Sequence, residues 1–318
     1  MKQLFITGIR KSEIREIPDL IPGKNQVLVK VIYNGICMSE WYPWNEGRLV
    51  SFGHEPVGIV SAVGADVTKF KVGMRVTGLT SSAGFAEYCL MDENKTLAVP
   101  DNLASEDAIM EPLSCLISAG SKLKIKDPDC PVAVVGTGYM GLGMLSLFQM
   151  QGVKKLIAVD YNPQALENAR RFGATECYFP EEVPDKYLVT EFNDSMWEKG
   201  IGIVSEFAGT QSALQLAGNM TAVHGLLGIG GWHQGGMRSL DICRWGWKAM
   251  TVINTHERRI AYQMECGRQA LDLLSNDKWG FKGVANHIYT LEEFDRAFQN
   301  TVIKKDNSIK TLIRCSDY

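Results

Sequence analysis

The sequence lacks the close cysteine pairs on which stapled small domains and structural zinc lobes are built. Its eight cysteines are scattered along 318 residues, and no two of them form a Cys-x-x-Cys arrangement. This spacing argues against a disulfide framework and against a cysteine-rich structural zinc lobe. We expect most of the cysteines to be small buried hydrophobic residues.

A strong net charge and a long apolar run are also missing. The formal net charge is −3, which gives no sign of attraction to nucleic acid or to a membrane surface. No apolar run reaches the length of a membrane span, and the opening Met1-Lys-Gln-Leu-Phe-Ile becomes polar too soon for a signal peptide. Because 45% hydrophobic and 22% charged residues are ordinary for a globular protein, we expect a cytoplasmic enzyme with room for two domains.

What the chain does contain is a glycine-rich turn between two apolar runs. Val132-Ala-Val-Val leads into Gly136-Thr-Gly-Tyr-Met-Gly141, and a helical pattern follows. The second run, Leu156-Ile-Ala-Val, is followed by Asp160. This order predicts a strand, a tight turn, a helix whose N-terminus faces a pyrophosphate, and a second strand that ends in an acid. The sequence therefore predicts a dinucleotide-binding site, although such a glycine turn also occurs in other α/β proteins.

The acid at the end of the second strand indicates which dinucleotide binds. A carboxylate at Asp160 accepts both ribose hydroxyls of adenosine and repels a 2′-phosphate, and Tyr161-Asn162 places no arginine after it. NAD is therefore favoured over NADP. The predicted cofactor-binding residues are Gly136, Gly138, Tyr139, Met140, Gly141 and Asp160.

The order of the remaining elements separates two kinds of region. Residues 1 to about 105 are rich in short strands, one of them predicted at 83–89, which is typical of a small barrel-like domain. A helical pattern over 105–124 is broken once at Pro112. From 131 to about 255 strands and helices alternate in a doubly wound order. The fold class is therefore α/β.

The last part of the chain is mixed. We predict a helix at about 260–275, a strand near 287–289 and a final strand at 309–314. Between the two strands, Thr290-Leu-Glu-Glu293 is a capping box that opens another helix.

Three segments before the glycine turn carry candidate metal ligands. Cys37 lies in Gly35-Ile-Cys-Met-Ser-Glu40, His54 and Glu55 follow Gly53, and Glu111 precedes Pro112. A thiol, an imidazole and carboxylates from separated segments are the ligand types of a catalytic zinc. Taken singly, each has a structural alternative, since a lone cysteine or histidine usually packs in a core and Glu111 is suited to cap a helix.

Together these motifs resemble those of the zinc-dependent medium-chain dehydrogenases, the family of alcohol, sorbitol and threonine dehydrogenases. Gly-Ile-Cys-x-Ser, Gly-His-Glu and the glycine turn with its acid match the family in order, and Gly84-Phe-Ala-Glu-Tyr matches a common strand. Glu111-Pro-Leu-Ser matches the sorbitol dehydrogenase branch, in which a glutamate replaces a cysteine ligand. The resemblance covers nearly the whole chain.

The resemblance implies a set of roles for named residues. Cys37 and His54 bind one catalytic zinc, which Glu55, Glu111 or both complete. Ser39 corresponds to the proton-relay residue, and Glu40 to the acid that orients the histidine ligand. Two departures concern these roles, because the family usually has an aspartate at the position of Glu40 and a relay histidine a few residues later.

The resemblance also implies the architecture. A GroES-like β-barrel catalytic domain would comprise residues 1–118 and 257–318, with a Rossmann NAD-binding domain at 119–256 inserted between them and the catalytic cleft between the two domains. The family's structural zinc lobe is absent, since only Leu79-Thr-Ser-Ser-Ala83 occupies its place. One zinc per chain is therefore expected. Relatives are commonly homodimers or homotetramers.

The activity that follows is hydride transfer between NAD and an alcohol. Two aromatic segments, Trp41–Trp44 and Trp232–Arg259, suit the secondary alcohol of a polyol, sugar or cyclitol, with packing as their structural alternative. A bulkier or more apolar alcohol is the alternative substrate. Zinc-independent quinone or enone reductases share the fold but lack the ligand set, and a non-catalytic NAD-binding protein would not need it.

Overall fold

A computed structural model of the protein describes residues 1–48, 50, 52–303 and 305–317. The chain forms two compact units. The first comprises Met1–Cys115, Arg259–Asp277 and Lys282–Tyr318, and the second comprises Leu116–Arg258 and Lys278–Phe281. Within the described ranges no helix is both long and apolar enough to cross a membrane.

The described residues form fourteen strands and eight α-helices, together with seven short 3-10 helices. The strands are β1 (Lys2–Gly8), β2 (Lys11–Glu16), β3 (Gln26–Gly35), β4 (Pro56–Val63), β5 (Arg75–Thr80), β6 (Tyr88–Ala98), β7 (Val132–Val135), β8 (Leu156–Val159), β9 (Glu176–Tyr178), β10 (Ile201–Glu206), β11 (Thr221–Ile229), β12 (Thr251–Asn254), β13 (Ala285–Thr290) and β14 (Lys310–Arg314). The helices are α1 (Trp41–Glu46), α2 (Met110–Lys122), α3 (Tyr139–Met150), α4 (Pro163–Arg171), α5 (Gln211–Met220), α6 (Ile242–Trp247), α7 (Ile260–Ser275) and α8 (Phe294–Val302).

The first unit is built around a sheet in the order β13-β14-β3-β4-β5-β6. Because β6 also pairs with β3, strands β3 to β6 form a closed circuit, as the predicted barrel requires. From Gln26 to Val31, β3 alternates half-buried and buried side chains, the pattern of a strand with one face in a core. Phe85, Phe294 and Phe298 fill that core, and their rings make edge-on or tilted contacts.

The second unit is a parallel sheet in the order β12-β11-β10-β7-β8-β9. All side chains of β7 and β8 are buried, as expected for central strands covered on both faces by helices. The chain reverses its direction across the sheet between β7 and β10, and dinucleotides bind at the carboxyl ends of the strands beside such a switch point. The predicted α/β class, with a barrel-like part and a doubly wound part, is confirmed.

Two details of the sequence prediction are wrong. The strand predicted at 83–89 begins only at Tyr88, and before it only Ala86 forms an isolated bridge, to Gln3. The helix predicted over 105–124 is not broken at Pro112, because α2 begins at Met110 and places Pro112 in its first turn. A first-turn residue needs no intrahelical N–H partner, so proline is tolerated there. The capping box at Thr290 is confirmed, with Glu293 Oε2 accepting from Thr290 N at 3.1 Å.

Candidate metal centre and nucleotide site

The candidate metal ligands come together where two neighbouring strands meet. In the antiparallel pair β3–β4, Asn34 lies opposite Pro56, so the residues after β3 and those before β4 are neighbours. The Gly35 N–H donates to Glu55 O at 3.1 Å and fixes this junction. Cys37 and the pair His54-Glu55 are thereby placed side by side, although they are distant in sequence.

Cys37, His54 and Glu55 form a compact group of donor atoms. One atom from each residue lies within 4.8 Å of the others, and this is the one group of three or more such side chains found among the residues that the structure describes. Cys37 and His54 are partly exposed and Glu55 is buried. Thiolate, imidazole and carboxylate are zinc ligands, and three protein ligands with an accessible side are typical of a catalytic site.

Glu40 binds the two loops of this group together. Its Oε1 lies 3.0 Å from His54 Nδ1 and accepts from the Gly53 N–H at 3.1 Å, and its Oε2 accepts from the Cys37 N–H at 3.3 Å. Because Nδ1 faces Glu40, the other ring nitrogen, Nε2, is left for a metal. The glutamate thus has the reach for the orienting contact that an aspartate makes in most of the family.

Ser39 and Glu111 lie at the border of the group. Ser39 Oγ donates to Cys37 Sγ at 3.2 Å and is partly exposed. Glu111 stands in the first turn of α2, and its Oε1 accepts from Cys115 Sγ at 3.5 Å. Desolvation raises the pKa of the Glu111 carboxyl, and the charges of His54 and Lys310 oppose that rise. Glu111 is therefore close to the centre but outside the tight group of three.

Sequence reasoning missed Lys310, the first residue of β14. Its Nζ contacts Glu55 Oε2 and donates to Ile36 O at 3.0 Å, and only 6% of the residue is exposed. Burial works against the charge, but attraction to Glu55 and Cys37 raises the pKa of Lys310. The available signal was a lysine inside the mostly apolar segment Ile309-Lys-Thr-Leu-Ile of a predicted strand, because lysine is rarely buried without a partner.

The electrostatics of the group fit a divalent cation. Desolvation lowers the pKa of His54, but hydrogen bonds to Cys37 and Glu40 outweigh it and raise that pKa to about 12. Desolvation also raises the pKa of Glu40, which His54 partly counters. Acidic groups in a poorly solvated place need positive charge nearby, and a bound zinc would supply it to this donor set without protonation of the histidine.

The glycine turn has the geometry of a dinucleotide site. Gly136 follows β7 with φ +89°, a conformation that favours glycine. A Cβ at Gly141 would collide with the Gly136 carbonyl, so only glycine permits this approach of helix to turn. α3 begins at Tyr139 with Gly138 as its N-cap residue, and no acidic side chain stands in its first turn. Its N-terminus is therefore suited to phosphate.

Asp160 lies beside this turn at the end of β8. Its Oδ2 accepts from Thr137 N at 2.7 Å and from Thr137 Oγ1 at 3.2 Å, and its Oδ1 accepts from Asn162 N at 2.9 Å. The carboxylate is thus held against the residue between the first two glycines. In that position it can accept ribose hydroxyls and exclude a 2′-phosphate. The side chain of Tyr139, by contrast, packs on Phe281, with 5.2 Å between ring centroids.

Comparison with known proteins agrees with both parts of this description. Residues 23–101 match the family model described as the alcohol dehydrogenase GroES-like domain, and residues 140–276 match the model described as zinc-binding dehydrogenase. A probable D-xylulose reductase A of Aspergillus clavatus is 29% identical over 343 residues, covering 95% of this chain and 93% of its own. The sorbitol dehydrogenase of Bacillus subtilis is 28% identical over 68% of this chain and 71% of its own.

Solved structures share the complete fold. The 2R,3R-butanediol dehydrogenase of Bacillus subtilis superimposes with a TM-score of 0.80 over 98% of this chain and 99% of its own, at 22% identity. At this level of identity the likeness establishes the fold.

Fold, donor group and glycine turn together define a metal- and nicotinamide-dependent oxidoreductase. The chain belongs to the zinc-dependent medium-chain dehydrogenases, the family of alcohol and polyol dehydrogenases. It is accordingly an alcohol or polyol oxidoreductase whose cofactors are zinc and NAD. The family, the enzyme class and both cofactors predicted from the sequence are confirmed.

Proposed function

We propose that the chain binds one zinc through Cys37, His54 and Glu55 and oxidises a secondary alcohol of a polyol, sugar or cyclitol with NAD. The compact donor group carries this proposal. Glu111 borders the group and would be a further carboxylate available to the metal beside the three primary ligands. Residues 1–118 and 257–318 act as the catalytic domain, and 119–256 act as the NAD-binding domain.

The chain's own residues hold the reactants and move the proton. Zinc, when bound, polarises the substrate oxygen, and NAD, when bound, accepts the hydride. Glu40 fixes the ring of His54 through Nδ1, and Lys310 pairs with the Glu55 carboxylate and orients it. Ser39 Oγ lies beside Cys37 Sγ and is partly exposed. It takes the proton of the substrate hydroxyl as its own hydroxyl proton passes to water, so the serine stays neutral.

Replacing Ser39 is expected to slow turnover without removing zinc. In Ser39→Ala the relay hydroxyl is lost, and turnover should fall by about a hundredfold, the usual size of a general acid–base contribution. Metal analysis should still find the wild-type zinc content, because Ser39 supplies no primary ligand. Ser195→Ala, at an exposed position of the second unit, is the matched control. Full turnover of Ser39→Ala across the pH range would exclude the relay role.

Replacing Glu40 is expected to weaken zinc binding instead. Glu40→Gln removes the charge that faces His54 Nδ1, and zinc affinity should fall by about 10- to 100-fold, as for other partners of metal-binding histidines. Competition with a chelator measures the change. Glu46→Gln, which breaks only an exposed ion pair with Arg48, is the control. Wild-type zinc affinity in Glu40→Gln would show that Glu40 serves the loop backbone alone.

The substrate class is supported by one of the two aromatic segments. Trp232 follows β11 and is 48% exposed. The centroid of its ring lies 5.4 Å from the ring centroid of His256 and 5.4 Å from the Arg258 guanidinium carbon. An accessible indole face beside hydrogen-bonding groups suits the CH face of a sugar or cyclitol ring. Trp44, in the other segment, is only 2% exposed and packs on Phe298, so its packing alternative applies.

A substrate panel tests the class directly. NAD reduction is measured with ring polyols, sugars and linear polyols, and with apolar alcohols of the same carbon number. We expect the highest kcat/KM among the polyols or cyclitols. Highest activity on the apolar series would favour the bulkier, apolar alcohol as substrate while keeping the zinc and NAD assignment.

We further propose a homodimer or homotetramer located in the cytoplasm. The proposed assembly is supported by the edge position of β12, which leaves Thr251, Val252 and Asn254 exposed at the border of the second unit's sheet. The molar mass from light scattering tests the assembly. A monomeric mass at micromolar concentration would contradict it.

A further inference from the structure

The carboxyl ends of β10 and β11 carry a polar network that the proposed function does not use. In a doubly wound sheet, the two halves of a dinucleotide lie on either side of the switch point. The glycine turn and Asp160 take the adenosine and pyrophosphate on the β7–β8 side. The nicotinamide half therefore belongs over the ends of β10 and β11, and the present inference rests on that proposed cofactor site.

Glu206, the last residue of β10, is the centre of this network. None of its surface is exposed. Its Oε1 accepts from the Gly209 N–H at 2.5 Å, and its Oε2 lies 2.8 Å from His233 Nε2. Its backbone carbonyl accepts from Gly230 N at 2.8 Å and Gly231 N at 2.9 Å. One residue thus connects the segment after β10 to the segment after β11.

His233 is fixed as one tautomer by its second partner. Arg238 Nε donates to His233 Nδ1 at 3.2 Å. A guanidinium has donors only, so Nδ1 must be the unprotonated acceptor, and the ring hydrogen is on Nε2, directed at Glu206. The imidazole therefore links a buried anion to a cation, and 15% of its side chain is exposed.

Arg238 completes the network by holding the loop that follows β11. Its Nη2 donates to Gln234 O at 2.7 Å and to Gly209 O at 3.3 Å, and its Nη1 donates to Gly236 O at 3.3 Å. The loop contains Gly235 and Gly236 with positive φ and has little apolar packing of its own. Arg238 therefore holds the backbone from Gln234 to Met237, and Glu206 anchors the ring of His233 at the start of the loop. The Gln211 side chain holds the end of the loop through Ser239.

We propose that Glu206, His233 and Arg238 are positioning residues that hold the segments after β10 and β11 in the arrangement that receives the nicotinamide half of NAD. A preorganised site loses less free energy on ordering when the ligand binds. The network should therefore strengthen binding of the nicotinamide half and leave binding of the adenosine half unchanged.

Two ligands separate this role from a general role in folding. NADH contains the nicotinamide, whereas ADP-ribose contains only the adenosine, the pyrophosphate and the second ribose. Titration calorimetry gives both dissociation constants for the wild type, His233→Ala, Arg238→Ala and the conservative His233→Gln. His224→Asn is the matched control, since His224 is an exposed histidine in β11 of the same unit. Its φ of +58° is one that asparagine tolerates.

We expect His233→Ala to weaken NADH binding by about tenfold, the effect of leaving one buried polar group unpaired. The dissociation constant for ADP-ribose should stay within about twofold of the wild-type value, the usual size of the effect of a substitution that removes no contact with the ligand. His233→Gln should recover most of the NADH affinity, because its amide can donate to Glu206. Arg238→Ala should likewise weaken NADH binding relative to ADP-ribose binding. It leaves Glu206 paired with His233, so it remains informative if His233→Ala does not fold.

Three results would overturn the inference. Equal weakening of both ligands would show that the network only stabilises the unit. Unchanged NADH binding in both alanine variants would show that the loop does not contribute to the nicotinamide half. A wild type that binds neither ligand would overturn the proposed cofactor site itself, and the inference with it.

Discussion

Cys37→Ala is expected to lose bound zinc and to lower kcat/KM by about a thousandfold or more. Cys37 supplies the thiolate of the group in which three donor atoms lie within 4.8 Å of one another. With two protein ligands left, a catalytic zinc is no longer retained. The metal's contribution of several kcal/mol to the barrier then disappears, and each 1.36 kcal/mol is a factor of ten in rate.

The control for this variant is another cysteine. Cys243→Ala changes an exposed thiol in the second unit and should keep zinc, turnover and melting temperature. NADH binding should survive in Cys37→Ala as well, because the glycine turn and Asp160 belong to the second unit. If Cys37→Ala kept both its zinc and its turnover, the metal would have to be assigned to other residues.

Asp160→Ala is expected to change the choice between NAD and NADP. The carboxylate accepts from Thr137 N and Asn162 N and is held where ribose hydroxyls are expected. A hydrogen bond to a charged group contributes about 1.5–3 kcal/mol, so kcat/KM for NAD should fall by about a hundredfold. The repulsion of a 2′-phosphate disappears at the same time, and kcat/KM for NADP should rise.

Steady-state kinetics with both cofactors checks this prediction. Asp129→Asn, which breaks only an exposed ion pair with Lys154, is the control. Asp160→Ala should also weaken ADP-ribose binding, unlike variants of the Glu206 network. An unchanged ratio of kcat/KM for NAD to kcat/KM for NADP would mean that Asp160 does not contact the adenosine ribose.

The sequence predicted best what is local in the chain. Val132 to Asp160 is one continuous strand, turn, helix and strand, so its geometry follows from the order of residues. Cys37 and His54 were predicted through short motifs, each next to a strand end that the hydrophobic pattern marks.

Contacts between distant segments could not be predicted in the same way. Lys310 pairs with Glu55 only because β14 is laid beside β3, and nothing in either segment specifies that neighbour. Trp44 is buried because α8 brings Phe298 against it, whereas the sequence left both contact with substrate and packing open for this segment. The contact between Glu40 and His54 depends on the backbone conformation at Gly53, which brings both the Gly53 N–H and the His54 ring to the Glu40 carboxylate. That conformation could not be predicted from the sequence.

The most direct test of the central claim combines metal and activity in one preparation. The purified protein is analysed for zinc per chain, and NAD reduction is measured with secondary alcohols before and after removal of the metal by a chelator. We predict one zinc per chain and NADH formation that is lost with the metal and restored by zinc. A protein without zinc that consumes NADPH on quinones or enones would contradict the assignment and leave only the nucleotide fold.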